Sequence, residues 1–179
     1  MPPRLPAGVS IARTAPIRRY PFARFFRGFG RVAAVRELFG SETAAVLRAQ
    51  RVEFFSSPFG YMGTSDQDGH LLISTHHLAH SDPRTLYLDL VHELAHVKQF
   101  REGRPLFYPK RSYVDAPSEI EAYRFTVREG RRLGMTDAEL REYLRVEWIS
   151  TSELNRLARR CGVAVRGPRA DARGSRRRR

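Results

Sequence analysis

Val91-His92-Glu93-Leu94-Ala95-His96-Val97 is the stretch on which the reading of this 179-residue chain turns. Four residues advance an α-helix by about 400°, so His92 and His96 fall on one face, one turn apart, where both imidazoles can reach one tetrahedral metal ion. Glu93 stands about 100° around from His92, which puts its carboxylate beside such an ion rather than on it, placed to take a proton from a metal-bound water. The neighbours Leu90, Leu94, Ala95 and Val97 are apolar, as a helix buried beneath a cleft requires. Ser81-Asp82-Pro83 supplies an N-cap and a proline in the first turn, opening a helix that runs to about Phe100.

A catalytic zinc site needs one more protein ligand besides two histidines and a water. Cys161 is the single cysteine, so a cysteine cluster is excluded, and no histidine follows His96. The third ligand is then a downstream acid or one of the upstream residues His70, His76, His77 and His80. Pro117-Ser118-Glu119-Ile120-Glu121-Ala122-Tyr123 opens a second helix, and the segment from Arg101 to Ala116 is long enough for it to return along the first. Glu119 and Glu121 lie about 200° apart on that helix, so only one of them faces the metal. Glu121 is the expected ligand, beside a small Ala122 that permits close helix approach, and Glu119 is the alternative. Ser118-x-x-Glu121 also reads as a capping box, a purely local role for the same side chain.

Around this pair, Val32 to Leu47 carries helical spacing interrupted at Gly40-Ser41, and Arg51 to Ser57 and His70 to Thr75 read as strands. The Gly-, Ser- and Asp-rich stretch from Pro58 to Gly69 reads as their connection, which predicts a short antiparallel sheet. Thr136-x-x-Glu139 and Ser150-x-x-Glu153 are capping boxes that start two amphipathic helices, the first ending near Trp148 and the second at Gly162. Tyr108, Tyr113, His76 and His77 are the residues available to stabilise an oxyanion, and spacing does not choose among them.

The pairing of His92-Glu93-Leu94-Ala95-His96 with a downstream Glu-x-Glu-Ala helix resembles the glutamate-liganded zincins, especially the ImmA/IrrE-type metallopeptidases. The resemblance covers about residues 50–135 and implies His92, His96 and Glu121 as zinc ligands with Glu93 as general base. It further implies a small sheet whose edge strand, here His70 to Thr75, pairs with an extended peptide above the active-site helix. This chain departs from the family pattern at Tyr123, where a small polar residue is usual, and shows no upstream helix-turn-helix.

The formal charge of +13 belongs to the ends. Residues 1–36 hold eight arginines and no acid, residues 166–179 carry +6, and the body between them carries −1. The expected organisation is a basic, largely irregular N-terminal tail over 1–30, an α+β zincin-like domain over 31–165 with a small antiparallel or mixed sheet, and a disordered Arg-rich tail over 166–179. Within the first tail, the aromatic run from Pro21 to Phe29 is expected to dock on the domain rather than stack on bases. The tails also offer non-specific nucleic-acid contact through counterion release. No apolar run is long enough for a membrane span and no secretory signal is evident, so a cytoplasmic protein with no membrane partner is expected. The chain thus reads as a zinc (Zn2+) metallopeptidase acting on a peptide or protein. The other readings are a zinc amidohydrolase of a non-peptide substrate and a nucleic-acid-associated binding protein with a structural or vestigial metal site.

Overall fold

A helix with apolar residues on nearly every side must be enclosed, and the computed structural model, which describes residues 5–165, builds the fold around one. In chain order the elements are β1 (Ser10–Ile11), β2 (Arg19–Pro21), β3 (Phe26–Arg27), α1 (Ala33–Phe39), α2 (Thr43–Ala49), β4 (Arg51–Phe55), β5 (Met62–Thr64), β6 (Leu71–Ser74), α3 (Thr75–His80), α4 (Pro83–Arg101), α5 (Pro117–Arg132), α6 (Asp137–Tyr143) and α7 (Thr151–Arg160). The central helix is α4, in which Leu86, Tyr87, Leu88, Leu90, Val91 and Leu94 are fully buried. The architecture is α+β and zincin-like: a small mixed sheet packs against helices, and α5 lies along α4. The Arg-rich segment 166–179 falls outside the described residues.

The main sheet has the order β2-β4-β6-β5. β4 and β6 run parallel, with Val52 opposite Leu71 and Phe54 opposite Ile73, rather than antiparallel as expected. The cause is β5, which lies inside the stretch read as a connection and folds back antiparallel on β6, with Gly63 opposite Leu72. A three-residue strand containing glycine gives too little alternation to be found by period. It also takes the edge position. β6, the expected edge strand, is paired on both sides, and β5 forms the sheet margin.

The segment expected to be an irregular N-terminal tail is built into the fold. β2 extends the main sheet by pairing antiparallel with β4, and β1 pairs with β3. Phe22, Phe25, Phe26 and Phe29 are buried, which is the docking expected of that aromatic run. The Phe25 and Phe54 rings lie 4.9 Å apart, and Phe29 reaches Tyr87 of α4 at 5.8 Å. These phenylalanines sit on two 3-10 turns and a two-residue strand, so neither a helical nor a strand period marks them. Gly28 joins the pieces at a φ of 81°, and a Cβ there would stand 2.0 Å from the Gly8 carbonyl oxygen.

The C-terminal helices start as their sequences predict. Thr136 and Ser150 each accept from the backbone N–H three residues on, and Glu139 and Glu153 reach back to complete both boxes. α6 stops at Tyr143, leaving Trp148 exposed beyond it. Replacing Phe29 by Ala removes a buried ring that joins the N-terminal segment to α4, and is expected to cost about 3–5 kcal/mol in denaturant unfolding. An exposed control, Phe107→Ala, should cost no more than about 0.5 kcal/mol.

Candidate metal centre

The N-terminus of α4 is closed by Asp82, whose carboxylate accepts from the N–H groups of Arg84 and Thr85 at 2.9 and 3.2 Å. Ten residues on, His92 and His96 project from the same face with their Nε2 atoms 3.1 Å apart. α5 brings Glu119 against both. Its Oε2 lies 3.3 Å from His92 Nε2 and its Oε1 lies 3.6 Å from His96 Nε2. Among the described residues, these three form the cluster whose donor atoms converge as metal ligands would.

Those distances can be tested against a metal. Zinc bonds of about 2.0–2.1 Å in a tetrahedron place ligand atoms about 3.3–3.4 Å from one another. The donor separations of 3.1, 3.3 and 3.6 Å, the last two to the two oxygens of Glu119, are close to that spacing. Glu119 Oε2 is also buried without a hydrogen-bond partner, an arrangement costly for a carboxylate unless a cation completes it. Two imidazoles and one carboxylate are the donor set of a catalytic zinc site with an open position. His92, His96 and Glu119 therefore fit a metal ion.

Glu121, the expected third ligand, is directed away from this cluster to Arg104, with which it forms an ion pair. The periodicity of α5 explains the correction. Glu119 shares its face with Ala122, Tyr123 and Thr126, all buried, while Glu121 shares its face with the exposed Arg124 and Arg128. That stripe of charge was a legible signal that Glu121 looks outward. Nor does Glu121 form a capping box, because the Ser118 hydroxyl donates to the Leu106 carbonyl at 2.8 Å. The upstream histidines are engaged elsewhere. His70 bonds Asp68, His77 bonds Asp89 at 2.8 Å, and His76 stacks on His80.

Hydrogen bonds behind the donors set their orientation. The Gln99 amide N–H donates to the Ser118 carbonyl at 3.1 Å, which turns its Oε1 toward His96 Nδ1 at 2.8 Å. With a Nδ1 proton directed at Gln99, Nε2 is the nitrogen left to offer a lone pair to an ion once the imidazole is neutral. The Tyr123 ring lies 4.4 Å from that of His92, and its hydroxyl meets that of Tyr113 at 2.7 Å. Tyr123 thus puts an aromatic buttress where the family pattern has a small polar residue.

Glu93 is buried beside the cluster. Thr64 of β5 donates to its Oε2 at 2.8 Å and approaches its backbone carbonyl at 3.2 Å. Burial raises the Glu93 carboxyl above the usual range, against the opposing pull of His96, His92 and the Thr64 hydroxyl. Burial also disfavours a charged His96, but Glu119 and Glu93 outweigh it and push the imidazole up to about 9. For Glu119 burial is opposed by both histidines, which hold it well below the ordinary carboxylate range.

His92 and Glu93 line a cleft of about 700 Å3, together with Tyr61, His77, Asp89, Tyr113, Tyr143 and Trp148 among others. Of the candidate oxyanion donors, Tyr113, His76 and His77 line it and Tyr108 does not. Thr64, Gln99 and Tyr143 were not singled out from the sequence. Tyr143 donates to Asp89 at 3.0 Å and so ties α6 to α4. No protein-family model matches the chain, and no curated protein or solved structure matches it. The ImmA/IrrE-type resemblance therefore rests on the motif residues themselves.

Glu119→Ala is expected to abolish stoichiometric zinc retention, and Glu121→Ala to leave it intact, as read by elemental analysis after equilibration and dialysis. Zinc affinity of the metal-free protein should rise with pH up to about 9 and flatten above it, because His96 must lose its proton before it can ligate. Competition titrations with a chelator of known affinity at several pH values measure this.

Proposed function

We propose that this chain is a zinc-dependent metallopeptidase that hydrolyses peptide bonds in a peptide or protein substrate. The observation that carries the reading is the convergence of His92, His96 and the Glu119 carboxylate, with donor separations of 3.1–3.6 Å, and a second buried carboxylate, Glu93, standing next to them. Zinc in that set polarises a carbonyl and acidifies a water. Zinc is the ion this nitrogen- and carboxylate-containing site suits, since thiolate is absent and all-oxygen coordination is not offered.

Glu93 is the general base. It takes a proton from the attacking water and passes it to the leaving amine, and the burial that raises its pKa suits both transfers. His92 and His96 are held by Tyr123 and Gln99 and need little rearrangement to bind. Tyr113, which lines the cleft with its hydroxyl paired to that of Tyr123, is the phenol assigned to donate to an oxyanion.

A peptide is favoured over another amide because β5 is the sheet margin and Tyr61 and Met62, at its start, line the same cleft. An extended chain laid along a sheet margin gains main-chain hydrogen bonds that a small amide does not. No helix among the described residues is long and apolar enough to cross a membrane.

Glu93→Gln keeps the shape of the side chain and removes the base. Cleavage of a mixed peptide pool, followed by mass spectrometry, should fall by about 10²–10⁴-fold in this variant while its zinc content stays at the wild-type level. Equal cleavage by wild type and Glu93→Gln would overturn the assignment.

A further inference from the structure

A carboxylate one residue from a metal ligand has two competing fates. It can serve as a base, or it can close on the cation as a further ligand and displace the water it should activate. The second is electrostatically attractive, since a dication is the largest local charge in such a site. Its place on the helix sets Glu93 beside the ion, and a side-chain contact is still needed to keep the carboxylate from swinging onto it. Among the described residues Glu93 is not part of the converging cluster, although it neighbours His92 on the same helix.

We propose that Thr64 is a positioning residue that keeps Glu93 a base rather than a fourth protein ligand, an inference that rests on the metal-site reading above. Its hydroxyl lies 2.8 Å from Glu93 Oε2 and 3.2 Å from the Glu93 carbonyl oxygen, so it spans the side chain and main chain of one residue. Both groups are buried, at 8% and 6% exposure, where a hydroxyl to carboxylate bond is little weakened by water. The holder comes from a different element than the ligands. Thr64 is the last residue of β5, whose opposite end at Met62 lines the cleft.

The backbone leaves Thr64 few other places. Gly63 before it is covered by the Tyr61 ring, whose hydroxyl would stand 2.6 Å from a Cβ at that position. Thr64 itself is registered opposite Leu71 of β6. Its χ1 is restricted by branching at Cβ, which lowers the entropy lost in making the bond. The base is therefore steadied by the strand that borders the substrate cleft.

The test uses Thr64→Val, which keeps shape and branching and removes the hydroxyl, and Thr64→Ser, which restores it. Each protein is loaded with Co2+ in place of zinc, and its visible absorption is recorded beside its turnover of a cleaved peptide. The expected result is an altered d–d spectrum in Thr64→Val as Glu93 enters the coordination sphere, with kcat at least 10-fold lower and KM within 2-fold of wild type. Thr64→Ser should return both spectrum and kcat toward wild type, and Thr64→Val combined with Glu93→Gln should lose the spectral change. A wild-type spectrum and wild-type kcat in Thr64→Val overturn the proposal, as does a lowered kcat with an unchanged spectrum. Absence of Co2+ uptake by the wild-type protein would overturn the metal-site reading itself. Uptake without cleavage of any peptide would overturn only the peptidase reading, and the spectra would still decide the role of Thr64.

Discussion

Everything at the centre depends on Glu119 being held against two imidazoles that belong to another helix. The carboxylate is buried, and burial alone would drive it to protonate; the two histidines reverse that. Such an arrangement survives only if α5 cannot slide along α4. Gln99 supplies the lock by donating to the Ser118 carbonyl and accepting from His96, and the Ser118 hydroxyl fastens the connecting segment through Leu106. Ser118 and Ala122 are almost wholly buried, which is what small residues allow where two helix backbones approach closely. A packing contact, a tautomer and a ligand position are thereby set by one side chain.

How far the sequence could be read follows from the range of the interactions involved. α4 and its two histidines are governed by residues three and four apart and by a local cap, so motif, helix and N-cap were all legible. The capping boxes at Thr136 and Ser150 were legible for the same reason. The choice between Glu119 and Glu121 turned on which stripe of α5 is buried, and the exposed Arg124 and Arg128 already marked the Glu121 stripe as outward. Ala122 borders Glu119 one helical turn away as well as Glu121 beside it, so a small residue there does not choose between them. The pairing of β4 with β6 was not legible, because strand direction was decided by a three-residue strand with a glycine at its middle. Thr64 is joined to Glu93 only through the fold, 29 residues away, and no local pattern points to it.

Charge distribution misleads in a similar way. An acid-free, proline-containing stretch with eight arginines has the composition of an unfolded arm, yet its phenylalanines enter the core while Arg18, Arg19, Arg24, Arg27, Arg31 and Arg36 remain at the surface. Arg24 illustrates the compromise, its guanidinium lying over the Tyr20 ring at 4.9 Å while the chain beneath it is buried. Net charge describes the surface a segment shows and says little about what the same segment buries. The N-terminal aromatics support the back of α4 through Tyr87, on the far side of the helix from the chemistry.

The interactions that orient the donors are all made by protein groups: Gln99 to Ser118, Tyr123 on His92, Thr64 on Glu93. In many small metalloproteins the ion is the nucleus around which the chain condenses, and removing it unravels the molecule. Here the scaffold is assembled by its own packing, and binding energy is free to be spent on the ion alone. Removal of a bound ion would then leave the fold standing, with the donors still gathered around the place it left.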